Sequence, residues 1–182
     1  MKIAILRIEP VDMDIANKIQ NALCMVFPET TCVILEDAMP TPQDTYNPST
    51  RQYYSTSVLW RTIEFFKEPA MDRILGITDS DLYVPQLNFV FGEAQCPGKA
   101  AIISLCRLKP EFYGQPPNRE LFIERSIKEA VHEIGHTLGL GHCLNPSCIM
   151  FFSNSILDTD QKKVAFCEKC YPLVLKNASS RS

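Results

Sequence analysis

Residues His132–His142 read HEIGHTLGLGH and hold all three histidines of the chain. At about 100° per residue, His132 and His136 stand one helical turn apart on the same side. Two imidazoles stacked in this way can share a Zn²⁺ at about 2.0–2.1 Å. Glu133 is offset sideways from the pair, where it reaches a water on the metal rather than the metal, as a general base must. The helix offers no third ligand on that face at short range. Gly139 and Gly141 can each adopt positive φ, so the helix can end and the chain can swing His142 back. Three protein ligands leave one position open, which is the catalytic rather than the closed structural arrangement. Zinc so held lowers the pKa of water to about 7 and polarises a carbonyl, and Glu133 can pass the proton to a leaving amine.

The second unusual feature is eight cysteines: Cys24, Cys32, Cys96, Cys106, Cys143, Cys148, Cys167 and Cys170. The last four fall within 28 residues as C-x4-C followed by C-x2-C, close to a structural zinc pattern. Two disulfides, or a redox-active Cys167/Cys170 pair, are the competing assignments. The first four sit in apolar or strand-like sequence and are expected to be buried, reduced thiols.

The chain that carries these groups has 182 residues, a formal net charge of −3 and a pI near 5.6. This length suits one domain with a real core. The acidic balance speaks against nucleic acid as a partner. No apolar run approaches the ~18 residues of a membrane span. The N-terminal Met1–Arg7 is too briefly apolar for a secretory signal, so a reducing cytoplasm is expected. With no coiled-coil heptads, a monomer is expected.

The elements that must position the motif follow from periodicity. Lys2–Ile8 and Thr31–Glu36 read as strands, joined by a helix over Val11–Phe27. That order suggests a parallel pair with a crossover helix. Ala38–Thr50, with three prolines, reads as a loop, and Arg51–Lys67 as a second helix stopped by Pro69. Strands are expected over Arg73–Leu82, Leu87–Ala94 and Lys99–Leu108, the last two antiparallel across the Cys96-Pro97-Gly98 turn. Asn118 caps a long helix whose apolar sector (Ile123, Ile127, Ala130, Val131, Ile134, Leu138) faces the sheet. The two histidines lie opposite that sector. Beyond Gly141 only a short helix near Asp158–Cys167 is expected, and residues 177–182 read as a disordered tail. The fold class is α/β: a mixed, mostly parallel sheet with an antiparallel edge strand, packed helices including the zinc-binding one, and an irregular C-terminal segment.

HEIGHTLGLGH resembles the HExxHxxGxxH zinc motif of metzincin metalloproteases. Its continuation through Cys143, Cys148, Met150 and the Cys167/Cys170 pair resembles the archaemetzincins, whose signature adds four cysteines and a methionine. The stretches LGITDSDLY (75–83), FGEA (91–94) and SLCRL (104–108) are similar to that family too, so the likeness covers most of the chain. The resemblance implies one compact metzincin-like catalytic domain over 1–182: sheet and active-site helix in 1–141, then a Met-turn and four-cysteine segment in 142–176. It implies that His132, His136 and His142 hold a catalytic zinc and that Glu133 is the general base. By the same likeness Met150 forms an apolar floor beneath the imidazoles, and Cys143, Cys148, Cys167 and Cys170 bind a second, structural zinc. Two zinc ions per chain are therefore expected. Cys143 directly follows His142, so the structural ion would hold the third histidine in place.

The resemblance implies a peptide or protein substrate, bound along an antiparallel edge strand. Phe89, Val90, Phe91 and Gly92 in Leu87–Ala94 are the candidates. Asp79, Asp81 and Glu93 could hold a free amino terminus, which would favour aminopeptidase action; solvated loop acids are the other reading. Phe152 stands where some metzincins place a tyrosine, which leaves the oxyanion partner open among Tyr46, Tyr53, Tyr54, Tyr83, Tyr113 and Arg51. The alternative function is a zinc-stabilised peptide-binding module with little hydrolysis, which would have no need of Glu133.

Overall fold

Strands β1 (Lys2–Ile8), β2 (Thr31–Ile34), β5 (Arg73–Thr78), β8 (Gly92–Ala94) and β9 (Ala100–Ser104) form one sheet in the order β2-β1-β5-β9-β8. The pairs β1–β2, β1–β5 and β5–β9 are parallel, and β8 closes the edge antiparallel to β9. The sheet is the expected mixed, mostly parallel one. The computed structural model describes residues 1–66 and 70–179.

Both faces of this sheet are covered, which explains its near-continuous apolar strands. Ile3, Ile5, Leu75, Ile77, Ala101 and Ile103 point to one face, under helices α1 (Met13–Val26) and α3 (Arg119–Thr137). Ala4, Leu6, Ile8, Ile74, Ala100 and Ile102 point to the other, under α2 (Ser55–Phe65). A second small sheet, β3-β4-β6-β7, joins Tyr46–Asn47, Gln52–Tyr54, Leu82–Val84 and Leu87–Val90.

This second sheet accounts for most departures from the periodicity. The expected helix over Arg51–Lys67 starts at Ser55, because Gln52–Tyr54 pairs with Tyr46–Asn47 and with Leu82–Val84. The helix ends at Phe65; Lys67 and the expected stop at Pro69 lie outside the described residues. The Ala38–Thr50 loop thus contains a strand, β3, after a 3₁₀ turn at Gln43–Thr45. Arg73–Leu82 is broken at Thr78, and Leu82 begins a strand of the small sheet. Leu87–Ala94 is divided at the buried Phe91, where the chain crosses from the small sheet to the large one. Lys99–Leu108 keeps its strand only to Ser104 and then turns through a 3₁₀ segment at Cys106–Leu108. Asp12 is the N-cap of α1, accepting from Asp14 N–H at 3.0 Å.

The C-terminal segment is more regular than its sequence suggests. Helix α4 runs over Ile156–Gln161, with Ser155 and Asp158 forming a capping box. Helix α5 covers Tyr171–Ser179, so the expected tail is helical as far as Ser179; residues 180–182 lie outside the described ones. Asn177 is anchored there, its Nδ2 donating to the Leu138 carbonyl at 2.8 Å. Val174 supplies the buried face of α5. No helix among the described residues is long and apolar enough to cross a membrane.

Candidate metal centre and substrate cleft

Helix α3 starts at Asn118, whose side chain accepts from Leu121 N–H at 3.0 Å. It ends where Gly139 takes φ +83°, its N–H donating to the His136 carbonyl at 2.8 Å. Of the two glycines expected to turn the chain, Gly139 alone adopts positive φ. The turn brings His142 back over the helix, with ring centroids 4.8 Å from His136 and 5.5 Å from His132. The ligand atoms of the three histidines lie within 4.8 Å of one another.

Hydrogen bonds fix which nitrogen of each helical histidine faces inward. His132 Nδ1 lies 2.8 Å from the Ile149 carbonyl, and His136 Nδ1 lies 2.7 Å from the Leu140 carbonyl. A carbonyl accepts only, so each Nδ1 carries the proton and donates. The two Nε2 lone pairs then face each other at 3.0 Å. Such a contact is repulsive unless a cation sits between them. Tetrahedral zinc with nitrogen at ~2.05 Å would place them about 3.3 Å apart. Burial pushes the His132 and His136 pKa values down, and the Lys162 charge adds to this. His142 is lowered by the same two causes. Neutral imidazoles in this setting are fit to hold zinc.

The histidine face of α3 is not open to solvent as its opposition to the apolar sector implied. His132 and Glu133 are both buried, His132 against the Ile149 carbonyl of the C-terminal segment. Met150 lies against Gly135: a Cβ on that glycine would come within 2.5 Å of the Met150 sulfur. Glu133 is packed in the same way beneath the sheet edge, for a Cβ on Gly92 would stand 2.6 Å from Glu133 Cγ. Burial first, then the nearby Glu129 and Glu93 carboxylates, raise the Glu133 pKa well above the ordinary carboxylate value, and Lys162 opposes them. A raised pKa is what a carboxylate needs to take up and return a proton near neutrality.

Four cysteines meet beside this site. Cys143, Cys148, Cys167 and Cys170 bring their sulfurs within 4.8 Å of one another, and all are free thiols. The Cys143 and Cys167 sulfurs are 3.7 Å apart. A disulfide requires about 2.05 Å, whereas the edge of a tetrahedron with Zn–S ~2.3 Å is about 3.8 Å. Burial raises the Cys167 thiol pKa, but backbone N–H groups of Cys170 and Lys169 and the neighbouring thiols bring it down to about 7. Backbone amides also reach these sulfurs, from Asn145 to Cys143 and from Cys167 to Cys148, each at 3.4 Å. Cys143 N–H donates to the Met150 carbonyl at 2.8 Å, so the cluster is tied to the floor under Gly135.

Of the remaining cysteines, expected to be buried, two depart from that role. Cys32 is buried, Cys106 is half-buried, and Cys24 and Cys96 are exposed. Cys24 lies on the outer side of α1, and Cys96 sits in the turn after β8, facing the cleft.

A cleft of about 550 Å³ passes over the three histidines and Glu133. One wall is Leu87–Ala94, which includes the expected Phe89, Val90, Phe91 and Gly92; the other is Phe152, Ser153 and Asn154. Phe91 O accepts from Ser104 N–H and Gln95 N–H donates to Ala100 O, so residues 91 and 95 bond to β9. By strand alternation the backbone groups of Gly92 and Ala94 face the open edge. Phe152 rests on His142, ring centroids 4.7 Å apart. No tyrosine or arginine lines the cleft among the described residues, so none of the six oxyanion candidates is brought to it. Asp81 is held bidentately by Arg107 at 2.7 and 2.8 Å, and Asp79 by Lys109. Those two acids are therefore not available to a peptide amine; Glu93, on the cleft wall, is the one that is.

Sequence reasoning missed Glu129. It precedes His132 by three residues and Glu133 by four, so helical spacing places it on the ligand face, and it lines the cleft. It also missed Lys162, whose ammonium meets Glu129 at 3.0 Å in the interior.

Comparison with known proteins agrees with the geometry. The model for peptidase family M54 matches residues 13–176. The chain is 47% identical over 167 residues to the archaemetzincin of Methanocaldococcus jannaschii, covering 90% of this chain and 88% of that protein. The crystal structure of archaemetzincin from Methanopyrus kandleri superposes with TM-score 0.87 at 35% identity, covering 99% of this chain and 96% of that one. The Archaeoglobus fulgidus archaemetzincin, crystallised in complex with malonate, superposes with TM-score 0.81 at 40% identity, covering 95% and 99%.

Proposed function

Since the chain belongs to peptidase family M54 and is a zinc metallopeptidase, we propose that it hydrolyses peptides laid along the open edge of β8, with Glu133 as general base. His132, His136 and His142 would hold the catalytic zinc. The observation that carries this reading is the pair of Nε2 atoms 3.0 Å apart, each with its Nδ1 committed to a backbone carbonyl. Zinc bound there lowers the pKa of water toward 7 and polarises the scissile carbonyl. The chain's own groups do the rest. Gly92 and Ala94 offer backbone donors and acceptors to an extended substrate, which fixes its direction and register. Glu133, buried beneath Gly92, takes a proton from the attacking water and returns it to the leaving amine nitrogen. The wall at Phe152 packs on one side of His142.

Cys143, Cys148, Cys167 and Cys170 would bind a second zinc, giving two per chain. Their 3.7 Å sulfur separation supports this, as does the link from Cys143 to Met150. The ion would fix the peptide bond that joins Cys143 to His142. An aminopeptidase role rests on Glu93 alone, with Asp79 and Asp81 engaged elsewhere. We take residues 1–182 as one catalytic domain acting as a monomer on peptide or protein substrates, in a reducing cytoplasm.

The test compares wild type with Glu133→Gln on a broad peptide library, reading cleavage products and retained peptides by mass spectrometry. Cleavage should fall about 10²–10⁴-fold, with zinc content unchanged and peptides still retained. Identical cleavage profiles would defeat the assignment of Glu133.

A further inference from the structure

The cleft does not end at the catalytic residues. Beyond Glu133 it runs on between α3 and the Phe152–Asn154 wall and reaches Glu129. Glu129 is 2% exposed, yet it lines the cleft. Its Oε1 accepts from Lys162 Nζ at 3.0 Å and from Thr159 Oγ1 at 3.1 Å. Both hydrogen bonds fall on Oε1, and Oε2 carries neither of them. Ser153, on the facing wall, has a buried hydroxyl with no hydrogen-bond partner. A carboxylate and an unpaired hydroxyl therefore line the same, otherwise largely apolar cleft.

Resting on the proposed peptidase function, we infer that Glu129 and Ser153 determine substrate specificity. The side chain that enters between α3 and the Phe152–Asn154 wall is polar and carries an N–H or O–H donor. A buried acceptor that finds no donor costs the complex its desolvation, so apolar isosteres are rejected rather than merely tolerated. Acidic side chains are rejected because they bring a second acceptor to Oε2. Lys162 offsets the Glu129 charge, so the site reads hydrogen-bond donors and does not demand a cation. Lys162 has a second role as a positioning residue, since it and Thr159 choose which carboxylate oxygen faces the substrate.

That choice makes the test sharp. In Glu129→Gln, Lys162 and Thr159 still require an acceptor, so the amide oxygen must take the place of Oε1. The NH₂ group is then turned into the cleft, and the preference should reverse from donors to acceptors. The zinc-loaded full chain carrying Glu133→Gln is used to capture peptides from a library that pairs Gln, Leu and Glu at each position. Glu133→Gln alone should retain Gln-bearing peptides about tenfold over their Leu and Glu counterparts at one position. Adding Glu129→Gln should raise the Glu-bearing peptides about tenfold relative to Gln. Adding Ser153→Ala instead, which leaves the ion pair intact, should reduce the Gln preference several-fold, and it decides the matter if Glu129→Gln fails to fold. A flat profile at every position, no peptide retained, or a preference unchanged in both added variants overturns the inference. Wild type that retains this preference but cleaves nothing overturns the hydrolytic reading alone.

Discussion

The Glu133 side chain occupies the space that a Cβ on Gly92 would need, with Glu133 Cγ 2.6 Å and Cδ 2.8 Å from that position. The edge strand and the Glu133 carboxylate are thus placed by one contact, and a methyl group suffices to break it. The Ile102 carbonyl lies 2.7 Å from the same position, so the methyl would press on the backbone of β9 as well. Gly92→Ala should displace the carboxylate while leaving the three histidines untouched. Since a shift near 1 Å costs about 10²-fold in rate, kcat should fall by about that factor at unchanged zinc content. Steady-state kinetics beside metal analysis of the same preparation checks it; full activity would show that Glu133 has room to spare.

Gly135 poses the same question about the floor. Alanine is favoured over glycine within a helix by about 1 kcal/mol. Against this, its methyl would meet the Met150 sulfur at 2.5 Å, and overpacking costs about 1–3 kcal/mol. The thioether can shift, so the net loss should be small, about 1 kcal/mol, or roughly 2–4 °C in Tm for a chain of this size. In a Met150→Ala background the clash is gone, and Gly135→Ala should then stabilise. A reversal of sign across this double-mutant cycle is the expected result; equal effects in both backgrounds would mean that Met150 is not the obstacle.

The four-cysteine cluster predicts metal stoichiometry. Wild type should contain about two zinc ions per chain, and Cys167→Ser about one. Activity should drop as well, because Cys143 is covalently next to His142 and bonds through its N–H to Met150. Elemental analysis after dialysis gives the counts. Two ions retained by Cys167→Ser would remove the structural site.

The parts of the site legible in sequence were those set by local geometry. The helical period alone places His132, Glu133 and His136, and Gly139 marks the end of α3 with the positive φ expected of it. The sheet faces were legible for the same reason, as alternating residues such as Ile3 and Ala4 go to opposite cores. Tertiary pairing hid the rest. Gln52–Tyr54 has a helical pattern of apolar neighbours but is claimed by Leu82–Val84. Phe91 looks like the middle of one strand and is the crossing between two sheets. The close approaches at Gly92 and Gly135 involve partners that are far along the chain. Glu129 was visible by spacing, but its meaning depends on Lys162, which arrives from a segment with no periodic signal.

The Glu129–Lys162 pair is the last prediction. Its side chains are 3% and 0% exposed, so both charges are almost wholly withdrawn from solvent. Removing one partner leaves the other buried and uncompensated, a loss of about 3–5 kcal/mol. Lys162→Met should therefore lower stability by that amount in urea denaturation, far more than loss of the exposed Arg61–Asp44 pair. Replacing both, as Lys162→Met with Glu129→Leu, removes the unpaired charge and should recover most of the loss, or exceed it. Thr159 tempers that recovery, since its hydroxyl loses the acceptor it has at 3.1 Å. The recovered protein should be well folded and bind two zinc ions, yet lack the donor preference of the cleft. A double variant that is stable and still selects donor side chains would assign the ion pair to folding alone and place specificity elsewhere on the cleft wall.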